Sequence, residues 1–235
     1  MILVVGDLHG RFEALNDLVQ DKQPDAILQV GDFGYWPKEY PGWPPDDPEF
    51  ELGRTKVYWC DGNHEDHEAL ELIQGTGQLE VAPGCFYQPR GSILVLADGR
   101  RVLFFGGAES IDKVHRKRGR DWFPQELPSY SDFAKVLDEP VDIVISHTAP
   151  TCFSIEKSPP FGYASLPWLA KFKEPTPKML DAILEIVKPK QWFFGHYHVH
   201  QVGHDCGVDW TALGYADGLE KWWIELPERN EYALR

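Results

Sequence analysis

Five mostly apolar runs of strand length, at 2–5, 26–30, 57–60, 141–145 and 191–194, each end within a few residues on side chains that bind hard or borderline metal ions. The blocks are Gly6-Asp7-Leu8-His9, Gly31-Asp32, Gly62-Asn63-His64-Glu65, Ser146-His147 and Gly195-His196-Tyr197-His198. A short continuous apolar run reads as a strand buried on both faces, which is the habit of parallel sheets. In open α/β sheets the loops at the carboxyl ends of strands line the binding crevice. The pattern therefore predicts an α/β domain whose ligand-bearing loops gather at one edge.

The connecting segments agree. Phe12, Leu15, Leu18 and Val19 recur at helical spacing between the first two runs, making a βαβ unit. A helix is expected over 65–73 and another around Leu180, Ile183, Leu184 and Val187. Segments 93–96 and 102–105 flank Asp98-Gly99 as a hairpin, and 222–226 reads as a late strand, so antiparallel pairing joins the parallel part. Two stretches lack periodicity: 35–53, with five prolines and Trp36 and Trp43, and 148–177. They read as a surface excursion and a long loop near the site. The 235 residues are expected to form one domain, 1–235, since α/β domains of this size commonly stay undivided.

A formal charge of −14 disfavours general attraction to duplex nucleic acid. A local basic excess, Lys113, Arg116, Lys117, Arg118 and Arg120, reads either as a solvated loop or as a substrate-contacting rim. The four cysteines make no C-x-x-C pair, which weighs against thiolate zinc. The chain starts on an apolar strand, and no run approaches the roughly 20 apolar residues of a membrane span. These features give the expectation of a soluble cytoplasmic protein with reduced thiols.

Two carboxylates, one amide oxygen and several imidazoles are the inventory that a pair of divalent cations needs to activate water on a phosphate. Each block alone is weak, because a strand followed by Gly-Asp is common. Their combination in order is specific. Asp7-x-His9 and His196-x-His198 are expected to place both side chains on one side of an extended segment.

In these blocks the chain resembles the calcineurin-like metallophosphoesterase superfamily, whose motifs run D-x-H, G-D, G-N-H-[DE], H and G-H-x-H. The resemblance spans Asp7 to His198. It implies a four-layer αββα sandwich of two mixed sheets, with a dinuclear metal site at the carboxyl ends of the strands. It also implies that Asp7, His9, Asp32 and His198 hold one ion and that Asp32, Asn63, His147 and His196 hold the second. Asp32 is then the bridge and His64 is not a ligand. The phosphoprotein phosphatase branch carries G-D-x-V-D-R-G and an arginine after the third block. Here the second block reads Gly31-Asp32-Phe33-Gly34-Tyr35-Trp36 and the third continues Glu65-Asp66-His67-Glu68, so that branch loses support.

Two cations ~3.5–4 Å apart can trap a bridging hydroxide and aim it at phosphorus. His64 is then expected to protonate the leaving oxygen or to stabilise its charge, a role histidine performs near neutral pH. Nitrogen and oxygen donors suit Mn, Fe, Zn or Co, and the resemblance favours Mn. Arg116 and Arg118 are candidates for contacts to substrate. Tyr35, Trp36 and Trp43 could stack on a base, although core packing weighs more for them. The leading reading is a phosphodiesterase acting on a nucleotide or single-stranded nucleic acid. A monoesterase acting on a nucleotide, dinucleoside polyphosphate or phosphoprotein is the alternative, and a metal-binding scaffold without catalysis is the third.

Overall fold

In the computed structural model the described residues are 1–37, 50–156 and 174–229. The first sheet contains β1 (Ile2–Val5), β2 (Ala26–Gln29), β3 (Lys56–Trp59), β4 (Glu80–Ala82), β5 (Cys85–Tyr87) and β12 (Trp223–Glu225), in the order β12-β1-β2-β3-β5-β4. The second contains β6 (Ser92–Val95), β7 (Arg101–Phe105), β8 (Ile143–Ser146), β9 (Gln191–Phe194), β10 (Gln201–Asp205) and β11 (Val208–Ala212), in the order β10-β11-β9-β8-β7-β6. In both, the four inner strands run parallel and the two edge strands antiparallel.

Strand side chains alternate between faces, so each parallel strand feeds two cores. Leu3 and Val5 of β1 pack toward α1 (Phe12–Lys22) with Leu15 and Leu18. Val4, between them, packs inward with Leu28, Phe104, Ile145 and Phe193, drawn from both sheets. On the far side Val144, Trp192 and Phe194 meet Leu180, Ile183 and Val187 of α4 (Thr176–Val187). The layers are therefore helix, sheet, sheet, helix, as the resemblance implies, with α2 (His67–Thr76) beside α1 on the first sheet. A short helix, α3 (Tyr130–Phe133), lies in the connection between β7 and β8 of the second sheet.

Some boundaries differ from the sequence reading for local reasons. Helix α2 starts at His67, not at 65, because the Asp66 side chain caps it by accepting the N–H of Ala69 at 3.1 Å. Helix α4 starts four residues before Leu180, with Pro177 in its first turn, where a missing N–H costs no helical bond. Strands β4, β10 and β11 carry no apolar run to announce them, and the run of β5, Cys85–Tyr87, is only three residues long. In β11, buried Val208, Trp210 and Ala212 alternate with Asp209 and Thr211.

The expectation of four reduced thiols is not met. Cys152 and Cys206 form a disulfide across 54 residues, with Cα atoms 6.6 Å apart, while Cys60 and Cys85 are free and buried. The tertiary placement of the β10–β11 turn against the loop after β8 makes this pair, and no spacing motif encodes it. Among the described residues no helix is long and apolar enough to cross a membrane. Most of the proline-rich 35–53 stretch, including Trp43, and most of the 148–177 loop lie outside the described residues.

Candidate metal centre

Asp7 follows β1, Asp32 follows β2, Asn63 follows β3, His147 follows β8, and His196 and His198 follow β9. All five strands are parallel members of their sheets, so their carboxyl ends deliver these residues to one edge. Convergence does not come from extended D-x-H and H-x-H segments, as strand periodicity suggests. His9, Asp32, His196 and His198 have φ of 49°, 51°, 66° and 55°, in the left-handed region. Such backbone is strained for a residue with a β-carbon and concentrates at functional sites. Here the turned backbone is held by hydrogen bonds from Leu8 and His9 N–H to the Asp32 carbonyl, at 3.0 and 2.7 Å.

Two donor sets result. Asp7, His9, Asp32 and His198 offer ligand atoms that all lie within 4.8 Å of one another. In the second set, Asn63 Oδ1 stands 3.0 Å from both His147 Nε2 and His196 Nδ1, and His147 Nε2 is 3.3 Å from Asp32 Oδ1. Asp32 joins the two, its Oδ2 being 3.7 Å from His9 Nε2. Donors at right angles around an ion ~2.1 Å away sit about 3.0 Å apart, so the spacings fit a shared cation. The cradle is also tight. A β-carbon on Gly195 would fall 1.9 Å from Asp7 Oδ1, and one on Gly62 would fall 2.1 Å from Asp32 Oδ1. The residues present thus fit a pair of divalent ions, with no thiolate among the donors.

Comparison with known proteins agrees with this geometry. The family model for calcineurin-like phosphoesterase matches residues 1–200. The chain belongs to that family. Calcineurin-like phosphoesterases are metal-dependent hydrolases of phosphoester bonds with a dinuclear divalent metal site. Among solved structures, TT1561 of Thermus thermophilus superposes with a TM-score of 0.52 at 15% identity, covering 92% of this chain and 89% of that one. A Staphylococcus aureus protein named as a candidate 5'-nucleotidase gives 0.50 at 15% identity, covering 92% of this chain and 48% of that one. The phosphopantetheinyl hydrolase of Mycobacterium tuberculosis gives 0.49 at 14% identity, covering 97% and 96%. At these identities the first two show the shared fold. A search of curated proteins finds no match.

The electrostatics of this calcineurin-like phosphoesterase suit cation binding. Burial acts to raise the Asp32 carboxyl, yet His147, then His64 and His9, hold it well below the usual carboxylate range. Asp32 Oδ1 also accepts the N–H groups of Asn63 and His64, at 2.8 and 2.9 Å. A carboxylate so held stays ionised while buried. For His64, burial is the largest influence and, with Arg116 opposing Asp32, pushes its pKa down to about 4. The Arg116 Nη2 atom is 2.8 Å from His64 Nδ1 and 2.7 Å from Nε2. Arg116 is itself anchored by Asp112, with Nε to Oδ2 at 2.8 Å.

The structure separates the two arginines taken together from sequence. Arg116 reaches the third block, whereas Arg118 is exposed, its backbone bridged to Trp122. Tyr35 is buried against Trp59 and Trp36 lies beside Phe123, which favours packing over stacking. His67 is buried at the start of α2.

Three supporting residues escaped the sequence reading. Glu65 Oε1 accepts from Phe33 N at 2.6 Å and its Oε2 accepts from Gly62 N at 2.8 Å, joining the second and third blocks. Its place at the end of the third block was the available signal. Ser110 contacts Asn63, and Glu126 contacts Ser110, from a segment with no pattern, and nothing in the sequence points to them.

Proposed function

We propose that this protein is a phosphodiesterase hydrolysing a nucleotide or nucleic-acid phosphodiester, with Asp7, His9, Asp32 and His198 holding one divalent ion and Asp32, Asn63, His147 and His196 the other. The observation that carries this reading is the position of Asp32 between two donor sets. Bound ions supply Lewis acidity toward phosphoryl oxygens and lower the pKa of water. The chain's own residues do the rest. Asp32, kept anionic, neutralises charge between the two sets. Arg116 and His64 face the side of Asn63 and act together on the leaving oxygen, the guanidinium by charge and the imidazole by an N–H hydrogen bond.

Charge matching supports the diester. A monoester carries about −1.5 to −2 at neutral pH, whereas each phosphate of a diester chain carries a single negative charge. Among the described residues one guanidinium, that of Arg116, reaches the third block from the basic loop. This agrees with the missing arginines of the phosphatase branch. Manganese is the proposed metal, as the family resemblance implies, with Fe, Zn or Co able to use the same nitrogen and oxygen donors.

The test is turnover of bis-p-nitrophenyl phosphate against p-nitrophenyl phosphate with added Mn²⁺, alongside elemental analysis. A diester kcat/KM at least tenfold above the monoester value is expected. A monoester preference overturns the diester reading, and two bound metals with neither activity points to a scaffold.

A further inference from the structure

Asn63 has two faces that differ only in which atom is nitrogen and which is oxygen. Its Oδ1 lies 3.0 Å from His147 Nε2 and from His196 Nδ1, and its Nδ2 donates to Ser110 Oγ at 3.2 Å. Turned by 180°, the amide would present N–H groups to the second donor set, and an N–H cannot ligate a cation. Something must select the orientation, and His147 does not select the oxygen: its Nδ1 donates to the Val30 carbonyl at 3.1 Å, so the neutral ring keeps a lone pair on Nε2 that would by itself favour an N–H of Asn63.

The selecting contact is two residues removed. Ser110 Oγ donates to Glu126 Oε2 at 2.6 Å, while Glu126 Oε1 accepts from Ser110 N at 2.8 Å and from Trp122 Nε1 at 2.9 Å. Among the described residues the hydrogen-bond partners of this carboxylate are all donors, so it acts as an acceptor toward each of them. Among the described residues the Ser110 hydrogen has one other acceptor in reach, the Asn63 carbonyl at 3.4 Å, and the shorter bond to a carboxylate is the stronger. With its hydrogen committed to Glu126, Ser110 Oγ offers lone pairs to Asn63, which must answer with its NH₂. Arg116 Nη1, a further donor 3.5 Å from Ser110 Oγ, enforces the same polarity. Ser110 is fully buried and Glu126 nearly so, so water does not compete for these bonds.

We infer that Ser110 and Glu126 are positioning residues that hold the Asn63 amide with its oxygen toward the second metal. Neither touches a reacting atom. The inference rests on the dinuclear reading above and deepens it, by assigning a selective requirement of one ion to a loop outside the five blocks.

The test is Mn²⁺ binding by calorimetry on the full chain, which reads the two equivalents separately and needs no substrate. Outer partners of metal ligands are worth about 10–100-fold in metal affinity. Ser110→Ala is expected to weaken the second equivalent by about that factor while the first shifts less than about threefold. Glu126→Gln replaces an acceptor by a donor, freeing the Ser110 hydrogen, and is expected to weaken the same equivalent. The double variant is expected to match Ser110→Ala, because Glu126 acts through the serine. Equal weakening of both equivalents, or unchanged binding in either single variant, overturns the inference. If Ser110→Ala does not fold, Glu126→Gln and the thermal midpoint carry the same test. A wild-type chain that takes up one equivalent overturns the dinuclear reading, and this inference with it. Two equivalents unaltered in the variants overturn this inference alone.

Discussion

Glu65 Oε1 accepts the N–H of Phe33 at 2.6 Å, tying the third ligand block to the second across 32 residues of chain. Its other oxygen accepts from Gly62, and the side chain is fully buried. Glu65→Ala leaves the N–H groups of Phe33 and Gly62 without their acceptor, and each buried orphan costs about 1–3 kcal/mol. The expected outcome is a loss of about 2–5 kcal/mol in chemical denaturation together with weaker binding of both metals. Asp32 and Asn63 are the residues that shift. Intact stability with intact metal content would remove Glu65 from the architecture of the centre.

Gly195 meets Asp7 more closely than any side chain permits. A β-carbon there falls 1.9 Å from Asp7 Oδ1 and 2.9 Å from Val30 Cγ2. Gly195→Ala must therefore displace the Asp7 carboxylate, a member of the first donor set. The expected result is loss of one metal equivalent and at least about 100-fold of kcat, since a displacement near 1 Å in a catalytic constellation costs on that order. Elemental analysis of the purified variant checks it. Gly10→Ala serves as the control, because its added carbon meets nothing within 4 Å and its cost is confined to the positive φ of 76°.

The parallel strands were legible because burial on both faces demands continuous apolar residues, as in Ile2–Val5 and Ile143–Ser146. Strands β10 and β11 were hidden because one face of each remains polar or exposed, as at His204 and Asp209. The candidate ligand residues that the fold gathers were legible through residue type and position after strands, although strand alternation is not what brings them together. The left-handed turns at His9 and His196 are held by tertiary hydrogen bonds, to the Asp32 carbonyl and the Asp7 carboxylate, which spacing along the chain does not encode. For the same reason Ser110 and Glu126 left no trace, each being defined by a partner distant in sequence.

Arg116 and Arg118 belong to one basic run, yet only Arg116 contacts His64. Arg116→Ala is expected to lower kcat/KM by about 100-fold, the scale for loss of one charged group that stabilises developing charge. Arg118→Ala is expected to stay within about twofold, as an exposed charge removed from the site. His64→Ala should lower kcat while both metals remain, because no ligand atom is lost. If His64 and Arg116 act as a unit, the double variant falls well short of the product of the single losses. A fully multiplicative cycle would assign them to separate steps. Loss of metal from His64→Ala would make that residue a ligand.

His67 supplies a pH dependence distinct from the metal chemistry. It is buried at the start of α2, where burial is the largest influence and pushes its pKa down to about 4. Asp61 and, more weakly, Asp32 pull upward while Arg90 pushes down, so the neutral imidazole is the folded form. In the unfolded chain the ordinary histidine pKa is about 6.5. Below that pH the unfolded state takes up a proton that the folded state refuses. The contribution is therefore fully present above about pH 6.5 and is lost as pH falls toward the folded value of about 4. The total is on the order of 3 kcal/mol, or roughly 5–10 °C in thermal midpoint for a chain of this size. His67→Asn keeps Asp61, Asp32 and Arg90 in place and removes only this titration. Thermal midpoints of the variant are thus expected to fall less steeply than wild type between pH 7 and pH 4.5 by about that amount. Parallel midpoint curves for the two proteins would mean that the His67 ring is already protonated in the fold.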